Sequence, residues 1–98
     1  IHVSVAYPGK TRGNHYHTRK LEWFCVPQGK GLLLLKDLKT GEGKELIMGE
    51  GALKTVKITP GIIHAIKNIG NTNMVLIVYA NEAFNSEDPD TFYEKILE

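Results

Sequence analysis

Residues 9–29 read GKTRGNHYHTRKLEWFCVPQG, and the fold turns on how this stretch is read. His15 and His17 lie one residue apart, Glu22 follows five positions after His17, and Gly9 and Gly29 close the ends. Side chains alternate across a strand, so His15 and His17 point to one face and their rings can converge, while Tyr16 points away. The solvated side of an ordinary strand has the same pattern. Thr18 to Leu21 suffice for a tight connection, after which Glu22 opens EWFCV, a strand that reads as buried apart from that first residue. A carboxylate leaving water there needs a partner, because an uncompensated buried charge is very costly. A cation facing Glu22 answers that need.

Outward from this stretch, glycine and proline punctuate the chain at Pro8-Gly9, Gly13, Pro27 to Gly31, Gly41 to Gly43, Gly49 to Gly51, Pro60-Gly61 and Gly70. Between them lie runs of about five to eight residues rich in Val, Ile and Leu, the pattern of many short strands. Leu32 to Lys36 and Lys44 to Met48 flank the polar tip DLKTGEG and predict a hairpin; Ala52 to Ile58, Ile63 to Asn68 and Met74 to Ala80 predict further strands. The class is all-β, and closure that removes exposed edges predicts a small β-barrel or jelly roll. Leu32 to Leu35 carry apolar side chains to both faces, which calls for outer cover from another strand, a second domain or a partner subunit. Trp23 and Cys25 alternate with Phe24 and Val26 on a strand that reads as buried on both faces. At the end, Asp88 can cap and Pro89 start a short C-terminal helix with Phe92, Tyr93, Ile96 and Leu97 on one stripe; an extended tail is the alternative.

With 98 residues, 42% of them hydrophobic, a single domain over residues 1–98 is expected. The start at Ile1 rather than Met leaves room for a missing N-terminal segment. The 12 Lys+Arg and 11 Asp+Glu are scattered, which argues against nucleic acid as a partner. The longest apolar runs, GLLLL and MVLIVYA, fall far short of the roughly 20 residues that span a bilayer. A soluble protein with no membrane partner is expected. The lone Cys25 can form no internal disulfide and no signal-like segment opens the chain, so a cytoplasmic location is expected.

A third imidazole occurs in TPGIIHAIKN, where His64 sits in an otherwise apolar strand. Alone it is either a core histidine bonded to backbone or a ligand. Together, His15, His17, Glu22 and His64 make a mixed nitrogen and oxygen donor set with room for water or substrate, suited to zinc, iron, manganese or nickel.

The first stretch matches the cupin signature without a gap: Gly9, five residues, His15, one residue, His17, four residues, Glu22, six residues, Gly29. The second cupin signature is shortened, since Gly61 directly follows Pro60 and His64 comes one residue early, while Asn68 keeps its place. Within the cupins the chain resembles the C-terminal domain of the bifunctional epimerase/reductases of capsular polysaccharide synthesis. The likeness runs from about Ser4 to Phe92 through GNHYH with Lys20 and Glu22, Gly29 to Gly31, PGIIH and ANEAFNSEDPDTF. It implies a divalent metal, zinc first, on His15, His17, Glu22 and His64, and epimerisation at C3 of a UDP-linked 4-keto sugar. It also implies an NADPH-dependent reductase, which must be a separate polypeptide or another part of this one, because no Gly-rich dinucleotide loop occurs here. RGNHY is similar, too, to the metal-free dTDP-4-keto-6-deoxyhexose 3,5-epimerases, where the residue matching His15 is a base and that matching Arg12 holds substrate. The 3,4-ketoisomerases share the RG, HxH and Lys pattern.

The shared chemistry is proton removal beside a ketone. Lys20 is then a base or enolate partner, or else a solvated loop lysine. Tyr16, or Tyr7, protonates the opposite face, or Tyr16 packs outward. Arg12 pairs with a diphosphate through its planar donors, or is a surface charge. Tyr79 stacks on a uridine, or packs. The expectation is a homodimeric, metal-dependent epimerase or isomerase of a 4-keto-6-deoxy nucleotide sugar in surface polysaccharide biosynthesis. The alternatives are a cupin dioxygenase and a non-catalytic sugar-nucleotide binder or accessory subunit of a separate reductase.

Overall fold

The computed structural model describes residues 1–98 as nine strands and no helix. In chain order these are β1 (His2–Ala6), β2 (Thr11–Tyr16), β3 (Glu22–Gln28), β4 (Lys30–Asp37), β5 (Gly43–Gly49), β6 (Thr55–Ile58), β7 (Ile62–Asn68), β8 (Met74–Ala80) and β9 (Phe92–Tyr93). They form two antiparallel sheets, ordered β1-β8-β3-β6 and β5-β4-β7-β2-β9. One apolar core joins them, with Phe24, Val26, Leu76 and Val78 from the first sheet packed with Leu33, Met48 and Ile66 from the second. The fold is that of a cupin barrel.

Alternation explains which residues fill it. Along β8, Met74, Leu76 and Val78 are buried while Tyr79 is 51% exposed on the outer face. Along β4, Leu33 sits opposite Leu46 and Ile66 and is fully buried, and Leu35 packs against the same core. Leu32 and Leu34 face outward and are half-buried. Trp23 and Cys25 are likewise only half-buried on the outer face of β3, a correction to the expectation of burial on both sides. The β4–β5 hairpin forms where its polar tip predicted, with Asp37 Oδ1 accepting from Lys39 N (2.8 Å) and Thr40 N (3.2 Å). β6 begins at Thr55 rather than Ala52, because Ala52 bridges back to Gly49. β1 and β9 were not legible as strands; β1 is held by β8 and β9 by β2.

No C-terminal helix forms. Asp90 takes a positive φ of 49°, which a helix cannot contain, and Phe92–Tyr93 pair with β2 instead. The tail runs on extended, with Asn14 Oδ1 accepting from Ile96 N (2.8 Å) and Leu97 N (3.0 Å) and Thr11 Oγ1 donating to Glu98 O (2.7 Å). A side chain of β2 thus supplies bonds that a helix would have made within itself.

Candidate metal centre

The geometry begins with a β-bulge. Thr11, Arg12 and Gly13 pair with Lys67, Ile66 and Ala65 of β7, but the register slips before His15, which pairs with His64. The extra residue, Asn14, shifts the alternation by one, so that His15 points inward as Arg12 does. Gly13 makes this approach possible: its φ is +97°, and a Cβ there would lie 2.7 Å from the His64 carbonyl oxygen and 3.2 Å from Ala65 Cα. His17 follows the end of β2, and its carbonyl accepts from Gly61 N at 2.8 Å, so the Pro60-Gly61 turn clamps the first histidine motif.

Three imidazoles and a carboxylate converge. Ring centroids are 5.1 Å apart for His15 and His17, 4.6 Å for His15 and His64, and 5.4 Å for His17 and His64. His17 donates from Nδ1 to the Asp90 carbonyl at 2.6 Å and from Nε2 to Glu22 Oε1 at 2.9 Å. His64 donates from Nδ1 to Ile62 O at 3.1 Å, and its fully buried Nε2 lies 3.3 Å from Glu22 Oε1 without the alignment of a hydrogen bond. That Nε2 is a buried side-chain nitrogen with no hydrogen-bond partner. Such orphans are costly and rare in native proteins, and this one points among three further donors.

One donor atom from each of the four residues lies within 4.8 Å of the others. Two bonds of about 2.2 Å set donors at most about 4.4 Å apart, so the cluster needs only a small contraction to hold an ion. The donor set, the spacing and the orphaned nitrogen all fit a divalent metal.

The electrostatics agree. Burial opposes ionisation of Glu22, but the hydrogen bond from His17 and the nearness of His64 outweigh it and hold the carboxyl well below the usual carboxylate range. Burial works against a charged His17 as well, and its bonds to Glu22 and the Asp90 carbonyl more than offset this, raising its pKa. His15 has no such acceptor; burial first, then the neighbouring His64 and His17, bring it down to about 4.

His15, His17 and Glu22 open on a cavity of about 760 Å³, within the range of small-molecule sites, while His64 lies fully buried behind them. Lys20 and Arg12 both line it. Lys20 is only 6% exposed, with Nζ 3.3 Å from Pro89 O and 5.9 Å from the centre of the Phe84 ring, so it is not a solvated loop lysine. Arg12 is anchored through Nη2 to Val5 O at 2.7 Å. None of the three candidate tyrosines, Tyr7, Tyr16 and Tyr79, lines the cavity. Tyr16 stacks on Phe92 at 5.4 Å with the rings 22° from parallel, because alternation after the bulge turns it outward. Tyr79 packs on Trp23 at 5.4 Å on the outer face of β8, opposite the face that lines the cavity, so the base-stacking and opposite-face acid expectations for these tyrosines do not fit their placement. Sequence reasoning missed Asp90 at His17, and His2 and Phe84 on the cavity wall. For Asp90 the DPD stretch is the sole sequence cue, and nothing in it marks a partner more than 70 positions away.

An antiparallel barrel holding three histidines and a glutamate at the inner end of an open cavity defines the class, a cupin with a candidate metal centre. The chain belongs to the polysaccharide biosynthesis C-terminal domain family, whose model matches residues 1–92. It is 39% identical over 88 residues to UDP-2-acetamido-2,6-beta-L-arabino-hexul-4-ose reductase of Pseudomonas aeruginosa, covering 90% of this chain and 24% of that protein. It is 28% identical to the spore coat polysaccharide biosynthesis protein SpsL of Bacillus subtilis, covering 89% of this chain and 61% of SpsL. Among solved structures, the capsular polysaccharide assembling protein CapF of Staphylococcus aureus superposes with a TM-score of 0.91 at 37% identity, over 96% of this chain and 27% of CapF. The chain therefore spans about a quarter of the reductase and of CapF.

Proposed function

We propose that this domain is a metal-dependent epimerase or isomerase that removes and returns a proton beside the ketone of a 4-keto-6-deoxy nucleotide sugar in surface polysaccharide biosynthesis. The observation that carries this reading is the orphaned Nε2 of His64, set among His15, His17 and Glu22 beside a buried lysine on the wall of a substrate-sized cavity. His15, His17, Glu22 and His64 would hold the ion, with zinc the best match to three nitrogens and one oxygen. When bound, such an ion supplies a Lewis acid for negative charge developing on a carbonyl oxygen. Lys20, which is not among the four donors, is the group at the cavity wall that moves the proton. Arg12, held in place by Val5 O, offers its remaining donors to a diphosphate. Phe24, Leu76 and Val78 give the cavity an apolar wall that limits water at the reacting carbon. Tyr16 and Tyr79 are assigned no part in these steps.

The relatives support the substrate class, since the Pseudomonas protein is named for a UDP-linked hexul-4-ose. That name also favours a second reading, a binding module that serves a reductase carried elsewhere. A homodimer is part of the proposal: Val3 (62% exposed), Val5 (44%) and Tyr79 share the outer face of the β1-β8-β3-β6 sheet, an apolar surface suited to a second copy, and sedimentation equilibrium tests it. No helix is long and apolar enough to cross a membrane.

The test is proton exchange. Zinc-loaded protein incubated in heavy water with a UDP- or dTDP-linked 4-keto-6-deoxy sugar is expected to place deuterium beside the ketone, read by NMR, and Lys20→Ala to abolish exchange while retaining binding. Binding with no exchange in the unmodified protein would overturn the epimerase reading and support the binding module.

A further inference from the structure

Asp90 stands outside the four-donor cluster, yet more of the site hangs on it than on any other residue beyond the cluster. It is 4% exposed. Its Oδ1 accepts from Thr18 N at 2.9 Å and from the Thr18 hydroxyl, and its Oδ2 accepts from Arg19 N and Lys20 N, both at 3.0 Å. Its main-chain carbonyl accepts from His17 Nδ1 at 2.6 Å. One residue of the C-terminal segment thus holds a donor imidazole by its backbone and the chain that carries Lys20 by its side chain.

The two grips are coupled. Asp90 has φ +49°, a left-handed conformation that few residues other than Gly, Asn and Asp adopt. Four hydrogen bonds to the carboxylate hold the residue there, and in that conformation its carbonyl faces His17. With Nδ1 engaged, His17 presents Nε2 to Glu22. Pro89, immediately before it, offers its carbonyl to Lys20 Nζ, so the same segment fixes both ends of that side chain.

We propose that Asp90 is a positioning residue for the metal centre: its carbonyl orients His17 with Nε2 toward the ion site, and its carboxylate holds residues 18–20 so that Lys20 stays at the cavity wall. This rests on the metal-centre reading above. Partners that orient a ligating histidine typically change metal affinity by about 10–100-fold when removed. Asp90→Ala loses all four carboxylate bonds and the preference for positive φ. Asp90→Asn keeps one acceptor oxygen and the tolerance of positive φ, and is expected to fall between the two.

The experiment uses the full chain, with zinc affinity measured by competition against a chromogenic chelator and the His17 ring followed by 15N NMR in the metal-free state. Asp90→Ala is expected to bind zinc about 10–100-fold more weakly and to lose the solvent-protected Nδ1–H signal of His17. Thr11→Ala, which cuts the tail's tie to Glu98 O away from the cluster, is expected to leave both readouts unchanged. A folded Asp90→Ala that binds zinc within twofold of the unmodified protein and keeps the protected Nδ1–H overturns the proposal. Should Asp90→Ala fail to fold, Asp90→Asn decides by the same two readouts. If the unmodified protein takes up no zinc, the metal-centre reading fails and the proposal with it. Tight zinc binding without deuterium exchange removes only the epimerase reading, and Asp90 is still judged by affinity and the His17 signal.

Discussion

Replacing Gly13 by alanine tests the step on which the site depends, the slip in register that turns His15 inward. Two costs combine. A left-handed backbone costs an L residue about 1–2 kcal/mol, and at φ +97° Gly13 lies at least that far from comfort. The new methyl would also meet the His64 carbonyl oxygen at 2.7 Å and Ala65 Cα at 3.2 Å, both backbone atoms that no rotamer change can clear. Relief requires β2 to move away from β7, and overpacking of this kind costs about 1–3 kcal/mol. The sum is about 3 kcal/mol. For a domain of this size, where each kcal/mol moves the midpoint by about 4–8 °C, the melting temperature should fall by about 12–24 °C.

A control separates the two costs. Gly41 has φ +77° and open space around its Cβ position, so Gly41→Ala carries only the backbone cost. Urea unfolding of the metal-free proteins should show Gly13→Ala losing about 2 kcal/mol more than Gly41→Ala. Zinc affinity should fall for Gly13→Ala alone, since His15 moves with the strand. Equal losses in the two variants, or a loss below about 0.5 kcal/mol at Gly13, would refute the account of the bulge.

Four further outcomes are expected. His64→Ala should lose zinc on dialysis, read by elemental analysis, yet cost the metal-free protein less than about 2 kcal/mol, because an unpaired buried nitrogen that itself costs about 1–3 kcal/mol goes with the ring. The stabilising contribution of His15, whose folded pKa is lowered to about 4 from 6.5, is fully present above pH 6.5 and lost as pH falls toward 4; His15→Gln should flatten urea-measured stability across that window. His17 has the opposite sign: its folded pKa is raised, so its contribution is present below pH 6.5 and fades as pH rises through the folded value, and zinc uptake at neutral pH should release a proton to an indicator dye in weak buffer. Arg12→Ala should weaken UDP binding by about tenfold or more, as expected for a lost charge-assisted contact, whereas Tyr79→Ala on the outer face should leave it unchanged in calorimetry.

The four side chains that converge were legible in the sequence because each motif is local or nearly so. Period-two alternation put His15 and His17 on one side, and the cost of burying Glu22 called for a partner, which His17 provides. The strands β4, β5, β7 and β8 were legible for the same kind of reason, since hydrophobic runs and turn residues act over a few positions. The half-covered outer face of EWFCV was not, and was read as buried, because the same alternating letters serve an inner and a half-covered outer face.

The sequence by itself therefore determined the residue types, their spacing and the strands that carry them. Only the tertiary structure decided that Lys20 is buried, that Tyr79 packs outside the cavity, and that the C-terminal segment is extended. The last case shows why. Asp88-Pro89 has the local chemistry of a helix start, but Asp90 instead accepts from Thr18, Arg19 and Lys20, some 70 positions away, and Asn14 takes the Ile96 and Leu97 N–H groups. Local propensity is worth fractions of a kcal/mol per residue, whereas hydrogen bonds to a buried carboxylate are worth about 1.5–3 kcal/mol each. Which distant groups will come within reach to make them is a property of the closed barrel.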